Sequence, residues 1–156
     1  MDKIDSLNQV AKFHRTFQHP ILNEPQIPSK QRCDLRVSLI DEELQELKEA
    51  IKENDIVEIA DALCDIQYVL SGAIFEFGLG EKFPALFNEV QRSNMSEACE
   101  SEEEAQITIA HYKQKKNTDC YYREVSGKYL VFRRGDNKTL KSIKYSPAAL
   151  SPILNF

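Results

Sequence analysis

The chain has 156 residues, 42% of them hydrophobic and 29% charged, which suits a soluble globular domain with a real core and room for a small appendage. Its net charge of −5 conceals an asymmetry: residues 1–112 carry 10 Lys and Arg against 22 Asp and Glu, whereas residues 113–156 carry 10 against 3. The start lacks the basic, apolar pattern of a signal peptide, and the most apolar stretch, 62–79, is broken by Asp65 and Glu76, so no membrane span is expected. Four scattered cysteines without a C-x-x-C pair exclude a disulfide frame or zinc knuckle and point to reduced thiols in a cytoplasmic protein.

Apolar residues Leu7, Val10, Ala11, Phe13 and Phe17 recur at helical spacing over 5–18, with Asp5 or Ser6 as cap. His14 and His19 near the end of this helix form no spaced ligand pair and are assigned surface or capping roles. Pro20, Pro25 and Pro28 mark a crossing loop, and Ser29 caps the helix after it.

The informative stretch runs from Arg36 to Gly78. It reads as two long helices joined at Asn54-Asp55, with Asp55 and Glu58 spaced as a capping box. On the first helix Leu39, Ile40, Leu47 and Ala50 define an apolar arc, into which Arg36 and Glu43 fall, with Glu46 at its edge. The second helix is apolar almost all round and is expected to be buried all round. Yet Glu58, Asp61 and Asp65 share one of its faces, which Val69 and Gly72 continue. Gly72, lacking a side chain, leaves room for another backbone or a ligand. About five carboxylates thus aim at shared interior space, while Glu42, Glu49 and Glu53 form a solvated flank. Unpaired carboxylates resist burial, and a hard divalent cation, Mg²⁺ or Mn²⁺, would relieve them.

A shorter helix is expected over 82–92, with Pro84 in its first turn. Another runs from a Ser101–Glu104 capping box to about 115 and, with few apolar positions, should lie on the outside. Residues 121–125, 128–133 and 139–145 are strand-like, separated by Ser126-Gly127 and Gly135-Asp136-Asn137. They predict an antiparallel β meander and then a terminal turn through Pro147 and Pro152. The basic tail is expected to meet a substrate phosphate, a neighbouring subunit or nucleic acid. No nucleic-acid motif is present, so the last is least favoured.

No glycine-rich phosphate loop is present, and neither central helix carries a histidine, against a di-iron or zinc centre. Carboxylates alone suit metal-assisted attack of water on phosphorus. E-E-L-Q-E at 42–46 and E-I-A-D at 58–61 resemble the E-E-x-x-E…E-x-x-D signature of the MazG-like all-α nucleoside triphosphate pyrophosphohydrolases, relatives of dimeric dUTPases and phosphoribosyl-ATP pyrophosphohydrolases. The resemblance spans roughly 8–97, including V-A-K-F-H-R, Y-V-L-S-G-A and E-V-Q-R-S-N-M-S. It implies a mainly α, MazG-like helical bundle over 1–116, with the β meander as an extension over 117–156. It makes Glu43, Glu46, Glu58 and Asp61 the metal ligands, with Asp65 as alternative or additional last ligand. Glu43 and Glu46 are the catalytic candidates, and Arg36, Arg92 and Asn94 the substrate-binding ones. Similar chains read S-N-M-S-K where this one has Glu97, which puts a phosphate-binding cation in doubt. The implied activity is hydrolysis of a nucleotide to monophosphate and pyrophosphate by a homodimer or homotetramer. The alternative is a non-catalytic nucleotide- or metal-binding helical oligomer.

Overall fold

The computed structural model describes residues 4–155. It is mainly helical with a small antiparallel sheet, and its contacts divide the chain into two compact units at Phe83/Pro84.

In the first unit, α1 (Ser6–Thr16), α2 (Lys30–Glu53) and α3 (Ile56–Glu76) form a helical hairpin with α1 against α3. Two of the three starts carry a side-chain cap. The expected cap of α1 is not formed, since the Asp5 carboxylate takes the Asn8 side-chain amide at 3.0 Å and no backbone amide, whereas Ser29 Oγ accepts the Arg32 amide. Asp55 Oδ1 accepts the amides of Val57 at 2.9 Å and Glu58 at 3.2 Å. Asn54, left-handed at φ 56°, ends α2 and turns the chain within two residues. The expected reciprocal half of the capping box is absent: the Asp55 amide donates to the Ala50 carbonyl, leaving the Glu58 carboxylate out of the cap.

The core of this unit joins Val10 and Ala11 to Phe75, flanked by Leu7 and Ile21. The proline loop is fastened to the end of α3, where the Phe75 carbonyl accepts from Leu22 and the Phe77 carbonyl from Gln26. Carbonyls that a helix end leaves without partners are thereby satisfied. Gly78, at φ 68°, lies beneath this loop; a Cβ there would stand 1.8 Å from the Glu24 carbonyl oxygen.

Burial of α3 departs from expectation. Only its C-terminal part, from Ser71 onward, and Ala62 are buried, while Ile56 and Val57 are 73% and 70% exposed and Leu63 and Leu70 are also open. Within the first unit no described residue closes over this apolar surface.

The second unit opens with α4 (Phe83–Met95), then α5 (Glu102–Lys116) and strands β1 (Cys120–Val125), β2 (Lys128–Arg133) and β3 (Thr139–Leu140), in sheet order β1-β2-β3. Ser126 and Gly127, both at positive φ, make the tight β1–β2 turn, and Cys120 pairs with Arg133 at the far end of the ladder. The third strand is only two residues long, because beyond Leu140 the chain turns to α5 and α4. There Ser142 Oγ donates to the Glu104 carboxylate, and the Ile143 amide donates to Thr108 Oγ1 at 3.2 Å. The expected terminal turn is a short helix, α6 (Ser151–Leu154).

α5 is not peripheral, contrary to its sparse apolar pattern. Ala105 is fully buried with Cys99, Cys120 and Val131, and Ile109 and Tyr112 pack at the edge of that core. Its short side chains let the sheet approach. This packing, with α4 bonded to residues 145–149, joins α4, α5 and the sheet in the unit that starts at Pro84.

Candidate functional site

The α2–α3 hairpin brings the carboxylates toward one another. Glu43 and Asp65 are half-buried; Glu46, Glu58 and Asp61 are exposed. The expected interior cluster is therefore a solvent-facing one in the single chain, since the long exposed stretch of α3 carries three of its members. Asp61 and Asp65 are one turn apart on α3. Burial pushes the Glu43 carboxyl above its ordinary range, and the charges of Asp65, Glu46, Glu42 and Asp61 add to it in that order. Glu43 thus feels four like charges from two helices.

Among the described residues no three Asp, Glu, His or Cys side chains are gathered tightly enough to hold an ion. The donor chemistry nonetheless fits a hard divalent cation: the set is all carboxylate, without thiol or imidazole, and its repulsion on Glu43 is what such a cation would relieve. Glu46, Glu58 and Asp61 form no ion pair among the described residues, so no competing cation holds them back.

The three substrate-binding candidates fare differently. Arg36 is buried, with Nε at 2.9 Å from Glu76 Oε1 and Nη2 on the same atom. Arg32 closes on Glu76 from the other side, with Nε at 2.8 Å from Oε2. Burial opposes ionisation of Glu76, but hydrogen bonds from Arg32 and Arg36 overcome it and hold the carboxyl below its ordinary range. Arg36 is therefore a structural partner of Glu76. Gly72 admits this arrangement, since an added Cβ would stand 2.7 Å from Arg36 Nη1 and 2.9 Å from His14 Nε2. What approaches Gly72 in the fold is an arginine and a histidine.

Nor is His14 a surface residue. It is buried, with Nδ1 at 2.9 Å from the Pro20 carbonyl, which requires a protonated Nδ1 as donor. Burial first, then Arg36 and His19, lowers its pKa. His19 is exposed and stacks on Phe13 at 5.8 Å.

In the second unit Arg92 is held by Glu89, at 2.7 and 2.8 Å, and donates to the Ser146 and Pro147 carbonyls at 3.3 and 3.1 Å. Its guanidinium fastens the C-terminal segment. Asn94 is exposed near the end of α4. Glu97, which stands where similar chains read a lysine, forms an ion pair with Lys141 at 3.0 Å.

Sequence reasoning missed the Arg32–Glu76–Arg36 triad, whose partners lie 40 and 44 positions apart. The available signal was a lone Glu in an apolar run with two arginines one turn apart on the preceding helix. It also missed a concavity of about 400 Å³ between α1, α2 and α3, lined by Phe13, His19, Arg32, Leu39, Tyr68 and Val69. Leu39 and Val69 lie four residues from Glu43 and Asp65, so this hollow begins one turn along both helices from the acidic cluster.

No described helix is long and apolar enough to cross a membrane. The chain is 38% identical, over 93 aligned positions, to the uncharacterized protein L479 of Acanthamoeba polyphaga mimivirus, an alignment covering 53% of this chain and 36% of that protein. It thus spans about a third of the curated relative it matches. The model of the phosphoribosyl-ATP pyrophosphohydrolase family matches residues 10–94, from the buried face of α1 through both acidic helices to Asn94. With that match covering more than half of the chain, and with an all-carboxylate cluster on a helical hairpin, the protein belongs to the phosphoribosyl-ATP pyrophosphohydrolase family of the MazG-like all-α superfamily.

Proposed function

We propose that the chain hydrolyses a nucleoside triphosphate, or a related nucleotide, between its α and β phosphorus atoms, with Mg²⁺ or Mn²⁺ held by Glu43, Glu46, Glu58, Asp61 and Asp65. The observation that carries this reading is the convergence of like charges on Glu43 from both helices, with Asp65 foremost. Bound there, the cation would neutralise phosphate oxygens and make the phosphorus more open to attack. A carboxylate of the cluster left free of the cation, Glu43 or its neighbour Glu46 one turn away, would take the proton of the attacking water. The new bond joins water oxygen to the α phosphorus, the bridging anhydride bond breaks, and pyrophosphate leaves. The aromatic hollow lined by Phe13, His19 and Tyr68 suits a base stacked one turn from the reacting phosphates.

A second reading, a nucleotide- or metal-binding oligomer without turnover, draws on the engagement of Arg36, Arg92 and Lys141 by Glu76, Glu89 and Glu97. Incubating the protein with Mg²⁺ and a panel of ordinary, deoxy and damaged triphosphates separates the two. Release of pyrophosphate with matching monophosphate supports hydrolysis. Metal-dependent thermal stabilisation without release from any member supports the binder.

A further inference from the structure

The second unit contains a concavity of about 410 Å³ at the meeting of the α5 C-terminus with β2 and β3. Its lining includes Lys116, Arg133, Lys138 and Lys141, against Glu97 as its one acidic residue, a balance of +3. Residues 84–156 as a whole carry eleven Lys and Arg against nine Asp and Glu, only +2. The remaining residues of the unit sum to −1, so its net positive charge comes from the residues that line the hollow.

The cations are arranged in different ways. Arg133 is fixed by Asp136, with Nε at 2.8 Å from Oδ1, and that bond holds Asp136 down to about 2. Lys141 is shared between Glu97 and the face of Tyr145, 3.6 Å from the ring centroid. Lys116 and Lys138 form no ion pair among the described residues, and Lys116 lies over the Tyr112 ring at 5.3 Å. Two held and two unneutralised cations around one aromatic wall and the Thr139 hydroxyl match an anion attached to a flat ring.

We infer that this hollow is a binding site for a phosphate-bearing small molecule of nucleotide size, formed within the second unit and built without the carboxylates of α2 and α3. Its volume lies in the range of small-ligand pockets, and its charge would offset the two to three negative charges of a phosphate or diphosphate. A polynucleotide would instead call for a basic track extending beyond one hollow, and the net charge of −1 on the rest of the unit does not favour one. The site does not depend on whether the carboxylates hydrolyse anything.

The test uses the full-length protein in EDTA, where the acidic cluster cannot hold phosphate through a metal, with adenosine monophosphate and inorganic pyrophosphate as probes in equilibrium dialysis. The expected result is one site per chain for at least one probe, weakening with added salt. K116Q/K138Q should lower that affinity by about tenfold or more, while E43Q retains it. Several outcomes overturn the inference. One is absence of binding at low-millimolar probe; another is equal affinity in K116Q/K138Q. A single-stranded oligonucleotide binding far more tightly per site than either probe would assign the surface to nucleic acid. Loss of triphosphate turnover in K116Q/K138Q would place the hollow within the reaction centre.

Discussion

Glu43 is the residue on which the acidic cluster can be tested most directly. Its raised carboxyl means that, without metal, it is penalised by burial and by Asp65, Glu46, Glu42 and Asp61. Glu43→Gln should therefore leave the metal-free protein as stable or slightly more stable, yet remove the Mg²⁺-induced rise in melting temperature and the turnover. Asp65→Asn should act in the same direction. A thermal-shift series with and without Mg²⁺ checks both, and an undiminished Mg²⁺ shift in both variants would defeat the ligand assignment. His14 provides a second test, through pH. Its folded-state pKa is lowered by burial and by Arg36, so the unfolded chain binds the proton more tightly. Its contribution to stability is complete above the unfolded pKa, about 6.5, and is lost as pH falls from there toward the lowered value. Within that window the slope is at most about 1.4 kcal/mol per pH unit. Wild type should accordingly lose more stability than His14→Gln between neutral and mildly acidic pH in urea titrations. Parallel losses would mean that His14 does not titrate in this window.

At the scale of elements, what was legible in the sequence was local. The caps Ser29, Asp55 and Ser101 mark the starts of α2, α3 and α5. Ser126-Gly127 sets the β1–β2 turn, and the E-E-x-x-E and E-x-x-D spacings reveal the acidic faces. What was not legible needed a partner far along the chain. The Glu104 of the expected capping box turns to Ser142 and Lys144; Arg36 turns to Glu76, and Glu97 to Lys141. Helical angle places a charge on a face but does not say which distant group meets it. The end of α3 shows the same limit: Gly78 only closes the stretch read from the sequence, whereas in the fold it lies under the Glu24 carbonyl at positive φ. Gly78→Ala should destabilise by roughly 2–5 kcal/mol, from left-handed strain and the backbone collision. Protection of the Leu22 and Gln26 amides in hydrogen exchange should fall first, because they are tied to this end of α3. Unchanged protection of those two amides would separate Gly78 from the loop.

For the whole molecule, the open apolar residues of α3 decide the expected assembly. Ile56, Val57, Leu63 and Leu70, with Val37 and Ile51 of α2, stay exposed among the described residues. We expect a homodimer or homotetramer whose interfaces exceed about 1,600 Å², as in obligate assemblies. Light scattering at micromolar concentration should give at least twice the 17.9 kDa chain mass. Val57→Glu should shift the protein toward smaller species, and a wild-type monomer under these conditions would count against the assembly.

The irregular stretch 145–149 has no ladder or helix of its own to shape it. Its form is imposed by α4, through Arg92 on the carbonyls of Ser146 and Pro147 and Glu89 on the Ala149 amide, and by Ser96 just beyond that helix on the Ser146 amide. Glu89 and Arg92 belong to the family-matched residues 10–94, while the stretch they hold lies outside them. The tail is thus not a portable cassette. A chimaera that transplants it onto a relative must bring Glu89, Arg92 and Ser96 with it, and drift at any of these three positions in the recipient would be inherited as a tail without its mooring.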